Sequence, residues 1–250
     1  MEWHDEGLIL GVRKHGETST IVELMTPDHG RHLGLVRGGR SRRMRPVLQP
    51  GNSVRVRWHA RLEEHLGTFT VEADEQRAGH IMANQTAVFG IQLLASHLRL
   101  LPERDPHLGL YRAGRVVVEN LEQTEIVASL MIRFELALLE ELGFGLDLES
   151  CASTGQTREL EYVSPKSGRA VSREAGQPWA DRMLALPTFL NRHERDWGRV
   201  PGLDDLQNGF ALSGYFLERH IYGPRGIKPP DERRGFIKSA TKILQESPAE

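Results

Sequence analysis

The sequence predicts an α+β protein: a five-stranded β-barrel over residues 1–80, then a helical domain over 81–250 that carries a small β-like insertion at about 145–178. Three observations predict it. Up to Asp74, apolar and polar residues alternate in short runs, the period of half-buried strands. From Ile81 the apolar residues recur at helical spacing. From Phe144 to about Pro178 that spacing disappears into Gly, Ser and Thr.

The strands fall at Leu8 to Arg13, Ser19 to Met25, His32 to Val36, Ser53 to Trp58 and Thr68 to Ala73. Their connections, Thr26-Pro27-Asp28-His29-Gly30, Gly38-Gly39 and Gln49-Pro50-Gly51, supply the Gly and Pro that turns require. Five short strands with no helical pattern between them fit a small closed barrel of the OB-fold kind, which limits exposed edges. An SH3-like barrel is the rival. Along Val54-Arg55-Val56-Arg57-Trp58 the alternation directs Val54, Val56 and Trp58 inward and both arginines outward. Trp58 and Phe69 are read as core in preference to platforms for nucleobases.

In the helical part, Val88, Ile91, Leu94, Ala95 and Leu98 share one face until Pro102 ends the pattern. Leu110 to Leu121 forms a second helix. Val127, Leu130, Met131, Phe134, Leu138 and Leu142 make an apolar stripe that stops at Gly143, the expected central helix of the domain. After the insertion, helices are expected at Ala180 to Leu186, Leu203 to Tyr222 and Asp231 to Leu244.

Hydrophobic residues make up 39% of the 250, enough for a core in water, and the formal net charge is only −2. The total announces neither nucleic acid nor membrane. A single cysteine, Cys151, excludes an internal disulfide and fits a reducing, cytoplasmic location. The acidic start, Met1-Glu2-Trp3-His4-Asp5-Glu6, does not read as an export signal, and the apolar runs fall far short of the roughly 18 residues of a membrane helix.

Charge distribution says more than its sum. From Arg31 to Arg61 stand nine arginines, Arg31, Arg37, Arg40, Arg42, Arg43, Arg45, Arg55, Arg57 and Arg61, without one Asp or Glu. Guanidinium groups hold phosphate oxygens bidentately and stack on bases, so this is the candidate nucleic-acid surface. A plain solvated face is the competing reading. Within the segment, Arg37-Gly38-Gly39-Arg40-Ser41-Arg42-Arg43-Met44-Arg45 joins glycine freedom to close cations and can follow an irregular backbone. No phosphate loop, His-Glu-x-x-His, Gly-x-Ser-x-Gly or dinucleotide fingerprint is present, so no enzyme is expected and no cofactor. His29 and His32 lack partners for a metal shell and read as surface side chains, and His193-Glu194 is no stronger.

The order of motifs resembles the RecO family. Gly7-Leu8-Ile9-Leu10, Gly16-Glu17-Thr18-Ser19-Thr20-Ile21-Val22, Thr26-Pro27-Asp28-His29-Gly30-Arg31, Val36-Arg37-Gly38-Gly39-Arg40 and Leu48-Gln49-Pro50-Gly51 look like its N-terminal pattern. Arg133-Phe134-Glu135-Leu136-Ala137-Leu138-Leu139 with Leu142-Gly143-Phe144 looks like its C-terminal signature, and the likeness runs to about residue 176. The resemblance implies an OB-fold joined to a helical domain, binding of single- and double-stranded DNA, and annealing of complementary strands. It also implies work with RecR to place RecA on strands coated by single-strand-binding protein, in the cytoplasm at the nucleoid. Many members carry a zinc ribbon of two Cys-x-x-Cys pairs. Those positions here are Cys151, Thr154, Ser172 and Ala175, so the expectation is a metal-free insertion shaped by turns at Gly155 and Gly168. Arg133 is implied to meet the acidic tail of single-strand-binding protein. An RNA-binding OB protein, a nuclease and an adaptor for acidic proteins remain as rivals.

Overall fold

The computed structural model describes residues 1–191 and 200–246, in two compact units, Met1–Glu122 and Gln123–Glu250. His193 and Glu194 lie outside the described residues.

In the first unit, strands β1 (Glu2–His15), β2 (Ser19–Thr26), β3 (Gly30–Val36), β4 (Ser53–His59) and β5 (Thr68–Glu75) close a barrel in the order β1-β2-β3-β5-β4. All neighbours are antiparallel except β3 and β5, whose parallel pairing Leu35↔Thr68 completes the ring. That is the OB-fold arrangement. The alternation along β4 comes out as read, with Val54, Val56 and Trp58 buried and Arg55 and Arg57 exposed. Trp58 and Phe69 belong to the core with Ile9, Val22, Leu24, Val36 and Leu48. Phe69 packs so close to β3 that a Cβ on Gly34 would lie 2.4 Å from its ring.

His32 corrects the expectation of a surface side chain. It is 1% exposed, with ring contacts to Trp3, Trp58 and Phe69 at 5.2, 5.1 and 5.8 Å. Burial holds its pKa down to about 4, against the opposing pull of its hydrogen bond to the Leu33 carbonyl. His29 stays partly exposed, stacked on Trp3 at 4.0 Å and bonded to Asp5 at 2.9 Å.

The helical pattern expected from Ile81 to Pro102 is two helices, α1 (Ala78–Ala83) and α2 (Gln85–Leu98), because Asn84 takes an extended backbone and caps α2 by accepting from the Ala87 N–H at 3.1 Å. Together with α3 (Leu108–Glu119) they belong to the barrel's compact unit, which runs to Glu122. Arg99 reaches Glu23 on β2 and Tyr111 donates to Glu6 on β1 at 2.9 Å.

The second unit is built on α4 (Thr124–Glu141), which packs with two later helices, α6 (Leu203–Leu217) and α8 (Asp231–Glu246). Glu135, fully buried on α4, accepts from Arg233 of α8 at 2.8 and 3.0 Å and from Ser213 of α6 at 2.5 Å. That ties three helices at one point. The insertion is a three-stranded sheet in the order β7-β6-β8, from β6 (Leu160–Val163), β7 (Ala170–Ser172) and β8 (Leu184–Ala185), with a helical turn α5 (Arg173–Gly176). The helix expected at Ala180 to Leu186 is instead the end of a 3-10 turn, Gln177–Arg182, followed by β8. The helix expected over Leu203 to Tyr222 passes from α6 into a π-turn at Glu218–Tyr222, before the short α7 (Gly223–Arg225). Among the described residues, no helix is long and apolar enough to cross a membrane.

Candidate nucleic-acid interface

The connection from β3 to β4, residues 37–52, carries the densest cations and has its own internal structure. Gly38, at φ +68°, turns the chain out of β3. The Ser41 carbonyl then accepts from the Met44 and Arg45 N–H groups, both at 3.1 Å, and Met44 accepts from Leu48 at 2.9 Å, forming helical turns that bury Leu48 in the barrel. Arg40 donates to the Gly16 and Glu17 carbonyls at 3.0 and 2.6 Å, clamping the loop to the β1–β2 hairpin.

Asn52 fixes the other end. Fully buried, its amide donates to the Pro46 and Val47 carbonyls at 2.8 and 2.9 Å, and its carbonyl oxygen accepts from the Arg77 and Ala78 N–H groups at 2.8 and 2.9 Å. Both donors and both lone pairs are used, so one side chain joins the arginine loop to the start of α1. The sequence reading missed it. Its only trace was a polar residue between Gly51 and an apolar strand, which ordinary turn chemistry explains equally well.

The nine arginines do not form one face. Arg31 is 12% exposed, paired with Glu23 at 2.9 Å and Glu103 at 3.4 Å, and so belongs to the structure of the barrel. Arg57 pairs with Glu2 at 2.7 Å and Arg55 faces Glu72 at 3.7 Å. The outward face of β4 is therefore of mixed charge. Sequence neighbours of these arginines carry no acid, but β1 and β5, laid alongside β4, supply Glu2, Glu6 and Glu72. Arg37, Arg42, Arg43, Arg45 and Arg61 are exposed and form no ion pair among the described residues.

Three hollows on this unit show the same division. One, of about 710 Å³, lies over β4 and is lined by Asp5, Glu6, Glu72 and Asp74 beside Arg55 and Arg57. The other two border the loop and have no carboxylate in their walls. The first, about 480 Å³, takes Arg37 and Met44 from the loop and Val36, His59, Phe69 and Val71 from the barrel. The second, about 680 Å³, takes Arg42, Arg45 and Pro46 from the loop and Ala78, His80 and Met82 from around α1. Cations and apolar floor without anions suit a phosphodiester chain.

Comparison with known proteins agrees on both halves. Family models described as Recombination protein O N terminal and Recombination protein O C terminal match residues 1–75 and 90–228. The chain belongs to the RecO family. It is similar to the DNA repair protein RecO of Brucella abortus (strain 2308), 55% identical over 249 residues that cover 100% of each chain. It is also similar to that of Mesorhizobium japonicum, 58% identical over 242 residues, 97% of this chain and 94% of the relative. The RecO protein of Methylobacterium nodulans is 57% identical over 242 residues, covering 96% and 98%.

Within the RecO family the insertion's ligand positions can now be weighed. The backbone brings Cys151, Thr154 and Ser172 together, with Gly155 and Gly168 in left-handed turns at φ +75° and +68°. The Cys151 thiol donates to Ser172 Oγ at 3.4 Å, and its sulfur accepts from the Ser172 N–H at 3.3 Å. Burial pushes the thiol's pKa up, but hydrogen bonds from Ser172 and Thr154 outweigh it and bring the thiol down to about 6. One sulfur and two hydroxyls do not make a tetrahedral zinc shell, and no group of three or more His, Cys, Asp or Glu placed to hold a metal occurs among the described residues. The donor set does not fit the family's zinc.

Arg133 lies half-buried on α4, donating to the Phe189 carbonyl with its guanidinium 5.3 Å from that ring's centroid. It borders a hollow of about 350 Å³ with an apolar floor that includes Leu136, Leu146 and Leu190, and with Glu140 and Glu149 on the wall. The floor suits an apolar side chain; the carboxylates oppose an acidic one.

Proposed function

We propose that the chain is a non-catalytic DNA-binding recombination mediator acting in DNA repair. It binds single- and double-stranded DNA, anneals complementary strands, and with RecR promotes loading of RecA on DNA coated by single-strand-binding protein. The observation that carries this reading is the loop Arg37 to Arg45, whose exposed arginines stand between hollows without carboxylates in a RecO-family barrel. Phosphates are met and base edges are left unread, which is what annealing demands. The family's role, and the relatives' printed name, support DNA over RNA.

The arginines divide under titration. With about four phosphate contacts, a slope of about −0.7 per contact gives roughly a fifty-fold loss of single-strand affinity between 50 and 200 mM salt. Replacing Arg37, Arg42, Arg43 and Arg45 by Ala flattens that slope, while replacing Arg55 and Arg57 by Ala leaves most of it. A slope equal in the parent and the loop variant sinks the reading. Arg133 and its apolar floor are the proposed seat of the tail of single-strand-binding protein, with the terminal hydrophobic side chain the main anchor. Arg133→Ala then weakens that peptide in a fluorescence titration and leaves naked DNA unaffected.

A further inference from the structure

We infer that the arginine loop is a two-sided wedge that holds two single DNA strands at once, one in each flanking groove. The inference rests on the DNA-binding reading above and adds stoichiometry and geometry to it. The two grooves share no lining residue, yet both take their cations from one loop. Arg37 and Met44 face the first; Arg42 and Arg45 face the second. The local helical turn accounts for this division, since Met44 and Arg45 are successive residues in it and successive side chains diverge by about 100°.

Each groove has the same two components. Its loop wall carries arginine without an ion pair, and its other wall offers apolar surface, half-buried Val71 in the first and Met82, 66% exposed, in the second. A methionine this open on a short helix contributes little to the core. It is a flexible apolar surface on which a base of any identity can rest. The loop between the grooves is held at both ends, by Arg40 on the hairpin carbonyls and by Asn52 on the start of α1, so neither groove collapses into the other.

Two strands approaching each other repel through their phosphates, over a range of about 8 Å at physiological salt. A row of guanidinium groups placed between them opposes the repulsion where it acts. Because no carboxylate lines either groove, none of that charge is cancelled locally. The bases, contacted by apolar surface and not by directed hydrogen bonds, stay available to pair.

The test uses the full chain and short thymidine oligonucleotides, which cannot anneal with one another. Titration well above the dissociation constant is expected to give two oligonucleotides per chain, and an equal mixture labelled with donor and acceptor dyes is expected to show energy transfer. Arg37→Glu and the pair Arg42→Glu with Arg45→Glu are each expected to reduce the count to one and abolish the transfer. Each retains single-strand binding, while annealing of complementary oligonucleotides slows at least tenfold. All these positions are exposed, and thermal melting checks that each variant folds. One oligonucleotide per parent chain, with a salt slope that still depends on the loop, overturns the wedge and leaves the DNA-binding reading standing. No thymidine oligonucleotide bound by the parent overturns both.

Discussion

Asn52 carries no charge and lines neither groove, yet it sets where the arginines stand. Removing its side chain leaves two buried N–H donors and two carbonyls without their partner. Asn52→Ala is therefore expected to cost at least about 2 kcal/mol in denaturant unfolding. It should also weaken single-strand DNA binding although no cation is lost; unchanged affinity at unchanged fold would show that the loop holds itself. His32 gives a pH dependence with a definite sign. Its folded pKa of about 4 lies below the ordinary histidine value, so between the two the unfolded chain binds more protons. Stability is full above about pH 6.5 and declines as pH falls toward 4, by up to about 3 kcal/mol from this group. In His32→Gln that part of the slope disappears; a melting profile of the same slope in both would assign it to other groups. Neither residue's role was readable beforehand, because burial of a lone polar side chain depends on partners distant in sequence.

The elements were far more legible. All five strands and the central helix α4 lie where alternation and helical spacing put them, since those periods are local and record which face is buried. The failures have local causes too: the Asn84 cap splits one expected helix, and Ala180 to Leu186 has apolar residues but ends in the pairing of β8 with β6. Gly34 on β3 shows what the period conceals. Its position alternates correctly, but only the packing of Phe69 from the neighbouring strand β5 explains why a side chain there would collide. Gly34→Ala is expected to destabilise by about 1 to 3 kcal/mol through overpacking, whereas Gly79→Ala, in α1 where a Cβ would meet nothing within 4 Å, is expected to stabilise by about 0.4 to 1 kcal/mol. Equal melting temperatures for the two variants would mean the ring moves aside without cost.

At the scale of the whole molecule, net charge and linear charge runs both mislead, for one reason. Sheets place residues beside partners many positions away, so the acid-free stretch from Arg31 to Arg61 meets Glu23, Glu2 and Glu72 in space, and among the described residues its loop and Arg61 escape. The extent of the barrel's unit was hidden in the same way, although one signal was present. Gly7-Leu8-Ile9-Leu10 is buried at every position, so β1 is covered on both faces. Ile9 belongs to the barrel core; Leu8 and Leu10 point away from it, as does Met25 on β2, and contacts from α2 to β1 and from α3 to β2 provide their cover. Cutting the chain near residue 80 exposes those side chains, each worth about 1.5 to 3 kcal/mol, out of a total stability of about 5 to 15 kcal/mol. A fragment of residues 1–122 is expected to melt cooperatively and keep loop-dependent binding of single-stranded DNA. A fragment of residues 1–80 is expected to aggregate or to bind a hydrophobic dye without a cooperative transition. If the shorter fragment melts as sharply as the longer one, the helices through Glu119 are an addition to the barrel and not a part of it.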